Sequence, residues 1–179
     1  KLLKDISKYN NIQMAQKISL NSAYGAIGNA YFRYHSHLIA EGITTSGQLS
    51  IRWIESDINR YLNKIMGTDK EDYVIASDTD SVYVVLDRYV SQKFKSEPDT
   101  TTVINELDRF AKEDIEPIID KSYQNLASYL NCHSQRMNMK REVIADKGIW
   151  TAKKRYILNA YDVEGVRYKE PTLKIMGIE

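Results

Sequence analysis

The 179 residues predict an α+β fold in which two helix pairs alternate with a hairpin and a final group of strands. Three observations carry this prediction. Two long segments with helical patterning open the chain, and a β-branched and aromatic stretch broken by a short polar tip follows them. Beyond Arg136 the spacing of apolar residues shortens to that of strands.

Helical spacing of apolar residues predicts the four helices. They cover residues 5–27, 41–66, 101–115 and 117–131. The first is expected to end near Gly28 and the second at Gly67, because glycine commonly follows the last residue of a helix. Pro117 suits the first turn of the fourth helix, where its missing N–H costs no hydrogen bond.

Residues 73–85, between the helix pairs, predict a β-hairpin with an acidic tip. Asp78 and Asp80 flank Thr79 there. Two like charges about 5 Å apart repel by roughly 3 kcal/mol at an effective dielectric near 20. A divalent cation would turn that repulsion into attraction, so we interpret the tip as a magnesium site. A polar turn whose side chains bond their own backbone is the alternative.

The strands are predicted over residues 141–145, 149–150 and 155–161, with a basic run before the last of them. If Lys153-Lys154-Arg155-Tyr156 opens a strand, Lys154 and Tyr156 share one face. A cation beside an aromatic ring suits contact with a nucleic-acid backbone, although solvated surface explains most basic runs. Glu142 is either a further metal-site carboxylate or a salt-bridge partner.

The first helix carries a polar stripe with a single charged residue. On a helical wheel the stripe contains Asn10, Gln13, Lys17, Asn21, Tyr24 and Gly28. A lysine there can meet a phosphate and the tyrosine a base or sugar, while Gly25 would let a flat ligand approach the backbone. The alternative is a helix packed against polar neighbours.

Charge and composition narrow the function classes. Basic residues outnumber acidic ones by 8 to 4 over residues 1–68 and by 10 to 5 over 136–174, whereas acids lead by 14 to 6 over 69–120. An acidic middle between basic ends suits a metal site bordered by surfaces that meet a polyanion, as solvated helix faces also would. The single cysteine, Cys132, excludes an internal disulfide.

Several sequence features concern the cellular setting. No stretch approaches the ~20 apolar residues of a membrane span and no signal peptide is evident, so we expect no membrane partner and a cytoplasmic location. Cys132-His133 lacks further ligands at zinc spacing. Because the chain opens at Lys1 without a methionine, we expect a processed product or a piece of a longer chain.

Five segments together resemble one enzyme family. Residues 17–25 resemble the motif Lys-x₃-Asn-Ser-x-Tyr-Gly, residues 77–81 resemble Tyr-Gly-Asp-Thr-Asp-Ser, and residues 154–156 resemble Lys-x-Tyr. Residues 168–171 and 173–177 are similar to the sequence leading out of the palm in phage members. In this order the segments resemble the family B (alpha-like) DNA polymerases, above all the replicative polymerases of T-even-like tailed phages.

The resemblance implies both fold and reaction. Residues 1–40 would be the C-terminal helix and exit of the fingers, and residues 41–179 part of the palm. The α+β fold would then consist of long fingers helices plus part of an antiparallel palm sheet with packed helices. The implied reaction is template-directed nucleotidyl transfer from a dNTP to a primer 3′-OH in the cytoplasm of an infected host cell. It uses two Mg²⁺ ions.

Site roles follow from the resemblance position by position. Asp80 would ligate both metals, Asp78 would lie beside them near the primer end, and Glu142 matches a carboxylate close to the metals. The nucleotide would be bound by Lys17, Asn21, Tyr24 and Gly25. The primer would be contacted by Lys154 and Tyr156, with Arg155 between them in the same motif.

The sequence departs from the family pattern at three places. Ala76-Ser77 replaces the usual Tyr-Gly, and Lys140 stands where the phage relatives usually carry an acid. The loop between Glu142 and Lys153 is expected to be shorter than in those relatives.

A larger departure is that nothing in the chain matches the palm motif Asp-x-x-Ser-Leu-Tyr-Pro-Ser, which supplies another metal-binding aspartate. We therefore expect an incomplete site, no primer extension by this chain alone, and an exposed apolar surface where palm strands are missing. Expected partners are primer–template DNA, dNTP, an upstream segment with the palm aspartate and exonuclease, and a thumb. The alternatives are a non-catalytic nucleic-acid-binding or assembly subunit and an unrelated two-metal nuclease, which leaves the stripe unexplained.

Overall fold

The computed structural model describes residues 2–94, 96 and 98–178, and the predicted α+β class is confirmed there. The helices are α1 Leu2–Gly28, α2 His37–Met66, α3 Asp87–Lys93, α4 Thr100–Phe110 and α5 Glu116–Tyr129. The strands are β1 Val74–Asp78, β2 Ser81–Val84, β3 Val143–Ala152, β4 Arg155–Val163 and β5 Val166–Met176. In this described part, no helix is both long and apolar enough to span a membrane.

The chain divides into two compact units, with the boundary between Leu49 and Ser50. The first contains α1, of which no residue is buried, and the opening turns of α2. Between these helices the Ser36 backbone N–H donates to the Ile27 carbonyl at 3.0 Å, and the Ser36 hydroxyl accepts from the Ile39 N–H at 3.3 Å. Because Ser36 caps the helix in this way, α2 begins at His37, four residues before the predicted start.

The second unit is organised around one apolar face of α2. Ile54, Ile58, Leu62 and Met66 recur every fourth residue and are buried. They pack with buried residues from the hairpin and the later helices, namely Tyr73, Val74, Phe110, Ile119 and Tyr123. Each such side chain stabilises the fold by roughly 1.5–3 kcal/mol. This core therefore holds the start of the hairpin against α2 and α5.

The predicted second helix pair is continuous in the structure. α4 is capped at its N-terminus by Asp99, whose carboxylate accepts a hydrogen bond from the Thr102 N–H at 3.2 Å. One π-helical turn, Ala111–Ile115, leads into α5, and Pro117 lies in the first turn of α5 as predicted. The short helix α3 was not predicted, because the residue before it, Leu86, provides no side-chain cap.

The strands form a two-stranded sheet, β1-β2, and a three-stranded sheet in the order β3-β4-β5, all antiparallel. The segments predicted at 141–145 and 149–150 belong to one strand, which begins at Val143, and the expected loop between Glu142 and Lys153 is β3 itself. Register shifts near Ala145 and Trp150 interrupt the alternation of side chains, which made this strand look discontinuous. The edge strand β5 escaped prediction because Pro171 lies inside it.

Large apolar side chains are exposed on the three-stranded sheet. On β5, Leu173, Ile175 and Met176 are 62%, 50% and 45% exposed, and on β3 Ile149 is 64% exposed. Such side chains on sheet edges are typical of surfaces that pair with further structure. That the missing palm strands pair with this exposed apolar surface stays a prediction.

The Glu106 carboxylate of α4 makes the free energy of unfolding of the second unit depend on pH in the acid range. It accepts hydrogen bonds from Arg109 and from the Tyr89 hydroxyl, each at 2.6 Å. Arg109, followed by Tyr89, lowers the pKa of Glu106 to about 2. Since this folded-state pKa lies below the ordinary value of about 4.3, the stabilisation is complete above that value and is lost as the pH falls towards 2.

We therefore expect Glu106→Gln to flatten the pH dependence of the free energy of unfolding between about pH 4.5 and 2. Urea unfolding at a series of pH values measures this slope. The exposed carboxylate Glu113, which also pairs with Arg109 at 2.8 Å, provides the matched control Glu113→Gln. Equal slopes in the Glu106→Gln variant and the wild type would contradict the prediction.

Candidate active site

The acidic tip forms a tight connection between β1 and β2, which confirms the predicted hairpin. Asp78 and Ser81 are register partners, so Thr79 and Asp80 form a two-residue connection. Thr79 has a φ of 49°, the left-handed conformation that such short connections require. The Ser81 hydroxyl donates to the Asp78 carbonyl at 3.1 Å and the Thr79 hydroxyl to the Asp78 carboxylate at 3.0 Å. The side-chain bonds of a polar turn are thus present beside the paired acids.

The two acids of the tip have different surroundings. Asp78 is half-buried, whereas Asp80 is exposed. Tyr123 of α5 is only 4% exposed and belongs to the same core cluster as Val74 of β1. Burial, and then the negative charge of Asp80, raise the pKa of Tyr123. The charge of the Asp80 carboxylate therefore acts on Tyr123 of α5, although Asp80 itself is exposed to solvent.

A cleft of about 470 Å³ joins the acidic strand to the basic turn. One wall is residues 75–78 of β1, and the other includes Ala152, Lys153, Lys154 and Tyr156 from the β3–β4 hairpin. The cleft thus brings Asp78 of the acidic tip together with Lys154 and Tyr156, which were predicted in a different segment. Arg155 is exposed and is not part of its lining.

The basic run is a turn rather than the start of a strand, which corrects one expectation. Ala152 and Arg155 are register partners, so Lys153 and Lys154 connect β3 to β4, and Lys154 has a φ of 62°. Simple alternation therefore does not relate Lys154 to Tyr156. A two-residue hairpin connection requires positive φ, and this bends the backbone out of the strand. Lys154 lines the cleft from the turn, and Tyr156 lines it from β4.

Three aromatic rings meet at the cleft, and two of them escaped the sequence analysis. Tyr83 contacts Trp150 and Tyr156 edge to face, with ring centroids 5.2 and 5.4 Å apart. Burial and the neighbouring Tyr156 hydroxyl raise the pKa of Tyr83 to about 12, so Tyr83 is neutral at physiological pH. Aromatic residues were evident in each strand, but the contact between Tyr83 and Trp150, which lie 67 residues apart, has no local signal in the sequence.

Glu142 is an ion-pair partner in this structure. Its carboxylate accepts from the Lys174 ammonium. Across the described residues, no three His, Cys, Asp or Glu side chains lie together as a metal-binding group, so Asp78, Asp80 and Glu142 do not form one. Asp78 and Asp80 alone still fit Mg²⁺, which is often held by one or two carboxylates together with substrate phosphates and water. Further ligands would have to come from outside this set.

A buried ionic network anchors the segment that carries Glu142. Arg141 donates to Asp162 and, at 2.6 Å, to Asp108. Its backbone N–H also donates to the Glu116 carboxylate at 3.1 Å. Asp162 is 1% exposed, so the ion pair takes the place of the water contacts that its carboxylate lacks. Lys140, which precedes Arg141, is exposed, and its departure from the family pattern has no visible structural consequence.

The predicted nucleotide-binding residues lie on α1, in the first unit. Lys17, Asn21 and Tyr24 are exposed, and their spacing places them along one side of the helix. At Gly25 an added Cβ would meet nothing within 4 Å, so the backbone there is open to approach. The side chains of this stripe are thus free to meet a ligand, and their roles stay predictions.

Comparison with known proteins identifies the family. The sequence model of the family described as "DNA polymerase family B" matches residues 3–128 of this chain. The chain is 46% identical over 176 residues to a DNA-directed DNA polymerase of Escherichia phage RB69, and 45% identical over 182 residues to one of Enterobacteria phage T4. These alignments cover 93% and 95% of this chain but only 20% of each relative. The chain belongs to DNA polymerase family B.

Proposed function

We propose that this chain provides part of the active site of a DNA-directed DNA polymerase, which transfers a nucleotide from a dNTP to a primer 3′-OH. The observation that carries the proposal is the cleft in which Asp78 lies across from Lys153, Lys154 and Tyr156. One cleft is then lined both by a carboxylate that could assist a metal-dependent reaction and by cations that could bind a phosphate backbone. On this proposal residues 1–40 belong to the fingers and residues 41–179 to the palm.

At the acidic tip, Asp80 and Asp78 would hold the metals. Two Mg²⁺ ions bound there would favour deprotonation of the primer 3′-OH and stabilise the charge on the triphosphate. The protein's own contribution is position: the Thr79 and Ser81 hydroxyls hold the Asp78 carboxylate and its backbone in place. Glu142, if it contributes, must first exchange its ion pair with Lys174.

The DNA and nucleotide contacts would come from two elements. Lys154 would meet a primer phosphate, and Tyr156 would pack against the sugar or base of the terminal nucleotide. On α1, Lys17 would pair with the triphosphate, while Asn21 and Tyr24 border the nascent base pair. Exposure of these side chains and open space at Gly25 support this assignment.

Completion of the site would require segments beyond these 179 residues. The chain spans about a fifth of the length of the relatives it matches, 20% in both cases. It also lacks the palm motif that supplies another metal-binding aspartate. We therefore propose that the remaining palm, the exonuclease and the thumb come from other parts of the polymerase, on the same polypeptide or on separate ones.

A non-catalytic assembly or nucleic-acid-binding subunit is the second candidate. The ion pair between Glu142 and Lys174 favours it, because an ammonium already neutralises that carboxylate. In such a subunit the acidic tip would be a structural turn. Loss of either acid would then leave the activity of the assembled polymerase unchanged.

Complementation tests the proposal. Magnesium-dependent primer extension is measured with this chain alone, with a polypeptide that carries the rest of the polymerase, and with both together. We expect extension only from the mixture. Extension by the chain alone would contradict the proposed incomplete site. A correctly assembled but inactive mixture would favour the non-catalytic candidate.

Lys154→Ala is expected to weaken primer–template binding roughly 3- to 10-fold near 0.1 M salt, because one phosphate contact is lost. The slope of log Kd against log salt should fall by about 1. Fluorescence anisotropy with labelled primer–template measures both quantities. Lys147→Ala removes an exposed lysine of β3 outside the cleft lining and serves as the control. Equal effects of the two substitutions would exclude a specific role for Lys154.

A further inference from the structure

Tyr83 connects the two sheets at the cleft. It lies in β2, where its register partner is Ala76 of the acidic strand β1. Its ring contacts both Trp150 and Tyr156, which are register partners of each other in β3 and β4. The centroids of those two rings are 6.3 Å apart. One ring from the acidic hairpin thus completes a triangle with two rings of the basic hairpin.

The position of Trp150 is set by packing. Its indole Nε1 is buried and has no hydrogen-bond partner among the residues that the structure describes. A Cβ added at Gly148 would lie 2.7 Å from the Trp150 ring and 2.8 Å from Leu158 Cδ2. The absence of a side chain at Gly148 therefore allows the indole to lie across the strand, where Tyr83 meets its ring.

The basic turn is confined from a second direction. Gly177 has a φ of 65°, and a Cβ added there would clash with the backbone carbonyl of Lys154. The backbone just after β5 therefore lies against the Lys153-Lys154 turn. The turn can keep a fixed position only if the strands that lead into it, which carry Trp150 and Tyr156, are themselves fixed.

We propose that Tyr83 is a positioning residue, whose ring holds Tyr156 and, through Trp150, the Lys153-Lys154 turn in register with Asp78 across the cleft. The inference rests on the proposed function, because Lys154 and Tyr156 are taken to contact the primer. Tyr83 itself does not touch the reacting atoms in this account. Small misplacements of a positioned group cost rate steeply, up to about 100-fold for 1 Å.

The test has one arm that does not involve DNA. In a Trp53→Phe background, Trp150 is the single tryptophan of the chain, and acrylamide quenching reports how well its ring is covered. Tyr83→Ala should raise the quenching constant of Trp150, whereas Tyr83→Phe, which keeps the ring, should leave it unchanged. Tyr83→Leu keeps apolar volume without the aromatic geometry and provides a second variant if Tyr83→Ala unfolds.

The second arm is a double-mutant cycle for primer–template binding by the 179-residue chain. Tyr83→Ala or Tyr83→Leu should weaken binding about 10-fold, and Tyr83→Phe less than about 2-fold. If Tyr83 acts through the basic turn, its effect and that of Lys154→Ala should overlap. The loss of affinity in the double variant should then be smaller than the product of the two single losses by at least about 3-fold. A residue that only stabilises the fold would give additive effects.

The outcomes separate the inference from the proposed function. Raised Trp150 quenching together with non-additive binding supports the positioning role. Unchanged quenching, or additive effects, would overturn it even if the wild type binds DNA. No primer–template binding by the folded wild-type chain would overturn the proposed primer contact and the inference that rests on it.

Discussion

Asp80→Asn is expected to lower magnesium-dependent primer extension by at least about 10³-fold in the polymerase assembled with this chain, because a metal-binding charge is worth several kcal/mol in the transition state. The change keeps the size of the side chain and removes its charge. Asp80 is exposed, so the fold should tolerate it. Single-turnover extension assays with saturating DNA and dNTP measure the chemical step.

Two comparisons make the Asp80→Asn result specific. Asp69→Asn removes an exposed carboxylate outside the hairpin and should leave the rate within about 2-fold. Removing the charge of Asp80 also relieves its repulsion of Asp78, so the thermal midpoint should not fall. A rate close to that of the wild type would contradict the catalytic assignment and favour the assembly subunit.

Arg141→Met is expected to have the largest effect on stability, a loss of about 3 kcal/mol, because it removes the more buried of the two arginines that pair with a buried carboxylate. Asp162 is 1% exposed and is shared between Arg141 and Arg167. Asp108 would lose a partner at 2.6 Å in the same substitution. Urea unfolding followed by circular dichroism measures the change.

A matched surface pair provides the comparison for Arg141. Arg60 and Asp57 form an ion pair at 2.9 Å in which the Arg60 side chain is 77% exposed. Arg60→Met should therefore cost no more than about 1 kcal/mol. Adding Asp162→Asn to Arg141→Met should recover part of the lost stability, since the buried charge is gone. If Arg141→Met costs no more than Arg60→Met, the network does not stabilise the fold as described.

The helices and the hairpin were predictable because their signals are local. Apolar residues every fourth position fixed the core face of α2, and the polar tip between two β-branched runs located the connection at Thr79 and Asp80. β5 was missed because Pro171 in an edge strand reads as a break. The single strand β3 looked like two because its register shifts break the alternation.

The candidate site was predictable only where a motif marked it. Asp78, Lys154 and Tyr156 were named from their segments, and the structure brings them to one cleft. Trp150 and Tyr83 were missed because their contact joins strands distant in the sequence. For Glu142 the sequence left two interpretations, and the structure shows the ion pair with Lys174. Metal binding by the carboxylates stays a prediction.

A count of bound metal ions tests whether this chain holds part of a metal site that other segments complete. Electron paramagnetic resonance of Mn²⁺ can be measured on the chain alone and on the assembled polymerase with primer–template and dNTP. Two Mn²⁺ ions that are lost on Asp80→Asn are expected in the assembly, and no site on the chain alone is expected to be tighter than about 1 mM, since Mn²⁺ and Mg²⁺ favour the same oxygen ligands. Two tightly bound ions on the chain alone would contradict this expectation.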